Sequence, residues 1–303
     1  MIATAATATA ADRRRARSIL LLFAALAGTS YIASRYMAVD HHPYMVALHG
    51  LFAGAVLMTL IDRDRSIATP RRHIGPVLFV GAGVATTPYL VLKGSLLVTP
   101  SLAAVLVISN ALTIALFSWL LGRKRFTPAQ VAALLTGFAG VVAVSWDQGT
   151  WGGAPTGVAY LLATSILIAA MTIVYEPTVR ELGAVGATKR NFLVSFAVAS
   201  CVAAGSGLLH FHSVAQSLLG VSFGLFSVTL PILLFNVGMR LIGAADAANF
   251  KLLIPLFALL YGVLLLGETP GALSTAAGGV IVASVAFYQR AARLAERSRT
   301  RAA

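Results

Sequence analysis

The sequence predicts an all-α integral membrane protein whose ten transmembrane helices form two inverted five-helix repeats. Three observations predict this: long apolar runs with short charged connections, an internal duplication, and basic residues confined to alternate connections. The chain has 303 residues, 58% hydrophobic and only 11% charged, with a mean hydropathy of +0.85. A soluble domain carries about 25% charged residues. Here charge is scarce and segregated between apolar runs near the ~20 residues that cross a bilayer. Those runs are 18–38, 43–61, 74–97, 99–122, 128–145, 154–175, 190–210, 217–241, 244–266 and 270–289. The connections are too short for a folded soluble domain. The expected organisation is a disordered cytoplasmic N-terminus (1–17), a first five-helix repeat (18–145), an outer linker (146–153), a second repeat (154–289) and a basic cytoplasmic tail (290–303).

The net charge of +13 invites a nucleic-acid reading, which the positions of the charges reject. Basic residues gather on the cytoplasmic side of membrane proteins. With the N-terminus inside, every Lys and Arg falls inside except Arg35, Lys93 and Lys251. Both termini are then cytoplasmic. Arg13–Arg17 followed by ILLLFAALAG could also read as a signal peptide, but the apolar stretch continues to about Met37, too long for one.

The duplication is clearest in spans 4 and 9. The first copy runs TPSLAAVLVISNALTIALFSWLLGRKR from Thr99, the second GAADAANFKLLIPLFALLYGVLLLGET from Gly243. Both open on small residues, pass Asn110 or Pro255 at equivalent places, and close Leu-Gly-charge. Five spans per half is odd, so the halves enter with opposite orientation. The reversal from Gly122-Arg123 to Gly267-Glu268 is what an inverted pair requires.

Taken in order, the spans offer these polar and helix-perturbing groups. Span 1 aligns Gly28, Tyr31 and Arg35, with Asp40 available to pair with the arginine. Span 2 holds His49, a candidate for proton coupling because histidine changes charge near neutral pH. A neutral histidine bonded between helices is the plainer reading. Span 3 aligns Thr86, Tyr89 and Lys93 on one stripe, beside Pro88. Lys93 reads as an outer cation for a substrate carboxylate, or as a side chain snorkelling to the interface. Span 4 aligns Asn110, Thr113 and Phe117, and span 5 carries Gly137 and Gly140 for close packing. Span 6 ends on Glu176-Pro177; the carboxylate is a second coupling candidate, or a partner for Arg180 at i+4. Span 7 contains the single cysteine, Cys201, which excludes an internal disulfide. Span 8 offers Pro231, Asn236 and Arg240, span 9 Asp246, Asn249 and Pro255. Lys251 faces nearly the other way from Asp246 and Asn249, and Arg240 and Asp246 read as an interfacial ion pair. Span 10 carries Gly278 and Gly279.

Span 9 into span 10 resembles the second EamA repeat of the drug/metabolite transporter superfamily. Gly243, Ala244, Pro255, Gly267, Glu268, Gly278 and Gly279 carry the resemblance in order. The first copy departs from it, with Asn110 where the proline is usual and Arg123 where the glutamate is usual. The whole is similar to bacterial amino-acid exporters, including aromatic amino-acid exporters. The resemblance implies a multi-pass protein of the bacterial inner membrane that exports small neutral metabolites by alternating access. Together with the polar stripes it points to a cavity lined by spans 3, 4, 8 and 9, near Tyr89, Asn110, Asn236 and Asn249; Lys93, on one stripe with Tyr89 and Thr86 and with no acid adjacent in sequence, is the candidate cation. Pro88, Pro231 and Pro255 are the candidate hinges.

Other classes fit less well. A membrane enzyme needs a nucleophile–base pair or metal cluster, and Gly205-Ser206-Gly207 with His210 and His212 is the only hint. No phosphate-binding loop for an ATP-driven pump is present. A channel and a carrier for another metabolite or drug class remain as alternatives. The expected partners are a small-molecule substrate and the lipid bilayer, with no nucleic acid, metal or cofactor, and a monomeric chain.

Overall fold

The computed structural model describes residues 9–37, 43–62, 64, 66–98, 100–147, 154–206, 214–267, 269 and 271–302. The readings that involve Tyr31, Arg35, Asp40, Gly207, His210, His212 and Glu268 fall outside the described residues or side chains. Among the described residues, the helices line up end to end into ten rods. Rods 1, 2 and 3 are single helices: α1 (Ala10–Met37), α2 (Pro43–Ile61) and α3 (Arg71–Ser95). Rod 4 is broken into α4 (Pro100–Ile108) and α5 (Asn110–Leu120). Rods 5, 6 and 7 are α6 (Pro128–Asp147), α7 (Pro155–Leu182) and α8 (Ala184–Gly205). Rod 8 is α9 (Val214–Phe223), a π-helical turn (Gly224–Thr229) and α10 (Leu230–Ile242). Rod 9 is α11 (Ala244–Ala248), a 3-10 stretch (Asn249–Leu253) and α12 (Ile254–Leu266). Rod 10 is α13 (Ala272–Ala302).

Local chemistry sets these boundaries. Pro43, Pro100, Pro128 and Pro155 open their helices, where a missing N–H costs nothing and φ is already helical. Thr127 and Gln130 form a reciprocal cap at the start of α6, with Thr127 N to Gln130 Oε1 at 3.0 Å and Gln130 N to Thr127 Oγ1 at 3.3 Å. Thr9 and Asp12 do the same for α1. The Thr9 hydrogen bonds hold the Asp12 carboxyl below its ordinary value, so this cap is kept as pH falls through the usual Asp range and is lost only below it. Helix α1 therefore begins at Ala10, and α13 runs on to Ala302. Within the expected N-terminal segment, the described residues from Ala10 on are helical and carry Arg13–Arg17. Gly122 and Gly267 close the equivalent rods 4 and 9 at φ 65° and 67°, the left-handed conformation that lets a chain leave a helix.

Stretches long and apolar enough to cross a membrane are Arg71–Ser95, Ala103–Leu120, Pro155–Leu182, Ser217–Ile242, Ala244–Leu265 and Ala272–Ala295. Leu48–Ile61 and Pro128–Val144 are shorter apolar helices. Rods 1 and 7 are not in that set.

The packing map has an internal symmetry. Rod 1 packs on rods 8 and 9, rod 2 on 7 and 8, rod 3 on 6 and 7, rod 4 on 6, and rod 5 on 10. Exchanging each rod with the one five places along maps 1–8 onto 6–3, 1–9 onto 6–4, and 2–8 onto 7–3. It leaves 2–7 and 5–10 in place. A map that closes under this exchange is what a two-fold relation between two alike halves produces. Small residues make the contacts on the shared interfaces close. A Cβ on Gly137 would meet Ser284 Oγ at 2.4 Å and one on Gly140 would meet Ile281 Cγ1 at 2.7 Å.

One end of the bundle collects the charges. Lys189, 1% exposed, pairs with Asp62 at 2.6 Å and donates to the carbonyls of Asp64 (2.6 Å) and Ser66 (3.0 Å). Two carbonyl acceptors and a carboxylate at ion-pair distance thus surround the charge, which is what makes a buried ammonium tolerable. Arg190 beside it donates to the carbonyls of Ala68 (2.8 Å) and Gly186 (3.0 Å). Arg72 and His73 at the start of α3 bond Glu181 at the end of α7. Arg17 of α1 and Arg293 of α13 line one surface pocket. Even-numbered connections and both terminal helices therefore meet at the same end.

Candidate functional site

Two of the concavities among the described residues bear on function. The wider, of about 830 Å³, opens among the charged ends of the rods and is lined by residues including Asp12, Arg123, Lys124, Glu176, Arg240 and Asp246. The narrower, of about 380 Å³, lies deeper and is mostly apolar. Its walls include Phe23, Val84, Ile108, Met171, Ile232 and Phe235, with a few polar groups among them. An apolar pocket of this size with a few convergent polar groups is the usual form of a small-molecule site.

The helix breaks build the deeper cavity. In rod 4, α4 stops at Ile108 and α5 restarts at Asn110. Ser109 between them shares a hydrogen bond with Ser165 of α7 (2.8 Å). In rod 9 the 3-10 stretch separates α11 from α12, and Pro255 sits at the start of α12, where its lacking N–H is harmless. Across the cavity the two breaks touch: Lys251 Nζ donates to Asn110 Oδ1 at 3.1 Å. Lys251 also lies 4.6 Å over the Phe235 ring centroid, within cation–π range. Rod 8 adds a third irregularity, the π-turn that delivers Ser227 and Val228 to the lining just before Pro231. Ser227 Oγ lies 2.9 Å from Thr29 Oγ1 of α1.

Of the residues expected to bind substrate, Asn110 and Asn236 line this cavity. Asn236 donates to Thr188 Oγ1 of α8 at 2.9 Å, so it also links two rods. Tyr89, Lys93 and Asn249 are not in the lining. Tyr89 is 47% exposed on the flank of α3, with Lys93 Nζ 5.7 Å from its ring centroid, so the stripe forms but faces outward. Asn249 is buried in the 3-10 stretch, and neither of its amide atoms has a partner among the described residues. Pro88 and Pro231 line the cavity, and Pro255 lies just beyond Ile254 at its edge. His49 packs against Gly220 between α2 and α9.

Glu176 sits in the charged vestibule with its acceptors occupied. It bonds Arg180 at 2.9 Å, approaches Arg123 at 3.7 Å, and accepts the Ala244 N–H at the start of α11 at 3.2 Å. Asp246 pairs with Lys124, and Lys124 reaches Tyr288 at 3.3 Å. The expected Arg240–Asp246 pair is therefore replaced by one between the two halves, because the chain after Gly122 folds Lys124 back over the start of α11. Lys251 and Asn191 are cavity residues that periodicity did not single out. Lys251 carried one usable signal, a charge inside a span with no acid one turn away.

Among the described residues no group of three or more His, Cys, Asp and Glu could hold a metal. No match to a curated protein was found. A solved crystal structure of another protein superposes with a TM-score of 0.78 at 20% identity, covering 93% of this chain and 99% of the other. That likeness concerns the fold. The EamA-like transporter family model matches twice, over residues 16–146 and 155–289. Two matched repeats, together with the apolar helices, make this a multi-pass membrane protein, and the chain belongs to the EamA-like transporter family of the drug/metabolite transporter superfamily.

Proposed function

We propose that the chain exports small neutral metabolites by alternating access, with aromatic or large apolar amino acids as its substrates. The observation that carries this reading is the cavity held between helix breaks in equivalent rods of the two repeats. Transporters built from duplicated halves use interrupted helices at the repeat interface to expose backbone and side-chain groups to a substrate. The apolar walls suit an apolar side chain, and Asn110 and Asn236 suit its polar end. Tyr89 and Lys93, just past Pro88 on α3, would meet the substrate on its way through the outer side. Asn249, buried and unpartnered, would find its partner when rod 9 moves. Pro88, Pro231 and Pro255 flank the cavity as hinges, His49 is the proposed coupling group, and Glu176 is better suited to latching the vestibule.

On this reading the ten rods are ten spans of a bacterial inner membrane, the halves are inverted, and the charged end is cytoplasmic. In a Cys201→Ser background, a cysteine at Gln148 is expected to react with an impermeant maleimide from outside, and one at Ser66 only after the membrane is opened. Reversal at either position overturns the topology.

Radiolabelled phenylalanine in proteoliposomes tests the function. Saturable flux, accelerated by unlabelled phenylalanine on the opposite side, is the expected result. Flux that rises linearly with concentration and shows no exchange would mean a channel. No flux of phenylalanine or threonine removes the amino-acid assignment.

A further inference from the structure

We propose that the deeper cavity is built for small apolar monocarboxylates: Lys251 pairs with the carboxylate, and an amino group on the ligand is not required. The purpose given to the cavity rests on the transporter reading above; the recognition chemistry rests on Lys251 itself.

Lys251 is the charged side chain of the cavity lining, among walls that are otherwise apolar or neutral. Its ammonium has three donors. One goes to Asn110 Oδ1 at 3.1 Å, and the Phe235 ring face, 4.6 Å away, takes part of the remaining charge. No acid pairs with it among the described residues. Asp62 is taken by Lys189, Glu176 by Arg180 and Arg123, Glu181 by Arg72 and His73, and Asp246 by Lys124. A charged amine inside a span is costly unless it is paired, and such groups mark substrate paths. The missing counter-ion is what a bound carboxylate would supply, through a charge-assisted hydrogen bond in a water-poor site.

The same lining limits what else the ligand carries. No carboxylate lines the cavity, so a ligand ammonium would meet only neutral acceptors. Two of the polar groups are already committed: Tyr175 donates to the Ala187 carbonyl at 2.5 Å, and the Asn236 amide donates to Thr188 at 2.9 Å. A single cation is also a poor match for a di- or trianion. An amino acid with an apolar side chain therefore fits by its carboxylate, and its deaminated counterpart fits equally well.

The test uses the full chain in lipid nanodiscs and calorimetric titration with four probes of one shape: 3-phenylpropanoate, phenylalanine, 3-phenylpropanamide and 2-phenylethylamine. Phenylpropanoate and phenylalanine are expected to bind with similar affinity, and the amide at least about tenfold more weakly, since it keeps the shape and loses the charge. The amine is expected not to compete. Lys251→Met should abolish the preference for carboxylate over amide, and Lys251→Arg should retain it. If Lys251→Met does not fold, the carboxylate–amide comparison on the native chain decides alone. Equal binding of acid and amide, preferred binding of the amine, or no binding of either carboxylate overturns the proposal. Lys251-dependent binding without flux in proteoliposomes supports it and sinks the transporter reading. Phenylalanine flux with an affinity unchanged in Lys251→Met sinks the carboxylate site and leaves the transporter standing.

Discussion

Gly224→Ala is expected to prevent the chain from assembling. A Cβ at that position would lie 1.9 Å from Gly50 Cα, and a Cβ on Gly50 would lie 2.7 Å from Gly224 Cα. Both obstacles are backbone atoms, so no side-chain rotamer relieves them. The contact joins α2 of the first repeat to the π-turn of the second. Separating them would open the interface that also holds Gly54 against Phe192 and Thr229. Overpacking costs about 1–3 kcal/mol where side chains can adjust; with backbone against backbone the loss should reach or exceed the top of that range. The measurement is the yield of monodisperse protein after detergent extraction, with Gly279→Ala as control. Gly279 has nothing within 4 Å of its added Cβ, so alanine there should be neutral or stabilising. If Gly224→Ala and Gly279→Ala extract alike, the close approach of rods 2 and 8 is not as described.

Asp246→Asn should give the second large effect, losing both stability and flux. Asp246 and Lys124 keep 11% and 20% of their side-chain surface and belong to different repeats. Removing one member of a largely buried pair leaves the other without a partner, at a cost of about 3–5 kcal/mol. Because Lys124 borders the vestibule and can recruit water, about 3 kcal/mol is expected. The neighbouring Glu176, held by Arg123 and Arg180 and accepting from Ala244 N, should keep the halves aligned, so the variant should fold. The exchanged pair, Lys124→Asp with Asp246→Lys, should recover much of the thermal stability that either single change loses. Single variants with native melting and flux, or a double variant worse than their sum, would show that the pair does not couple the repeats.

The sequence by itself determined the class and most of the plan. Hydropathy marks the helices because a backbone in lipid must satisfy its own hydrogen bonds, which leaves little choice but helix for an apolar run of this length. Charge segregation is equally local, and in the structure the even-numbered connections do meet at one end, through pairs such as Asp62–Lys189 and Arg72–Glu181. The repeat was legible because Gly122 and Gly267 are needed for the same left-handed exit from the same rod.

Only the tertiary structure decided which stripe of each rod faces the cavity. Helical periodicity says which residues share a face, not what that face meets. Tyr89 and Lys93 do share one, and their cation–π contact is there, yet it lies on the outside of the bundle. Asn249 and Lys251 do point apart, as their spacing requires, and the cavity took the side of the lysine. Asn110 and Pro255 marked equivalent places in the sequence, but not that the helix breaks beside each, at Ser109 and at Asn249–Leu253, because a 3-10 turn or a one-residue interruption costs little locally. What selects them is the contact they allow, Lys251 to Asn110, between residues 141 positions apart. An interaction at that separation exists only once both halves have folded against each other.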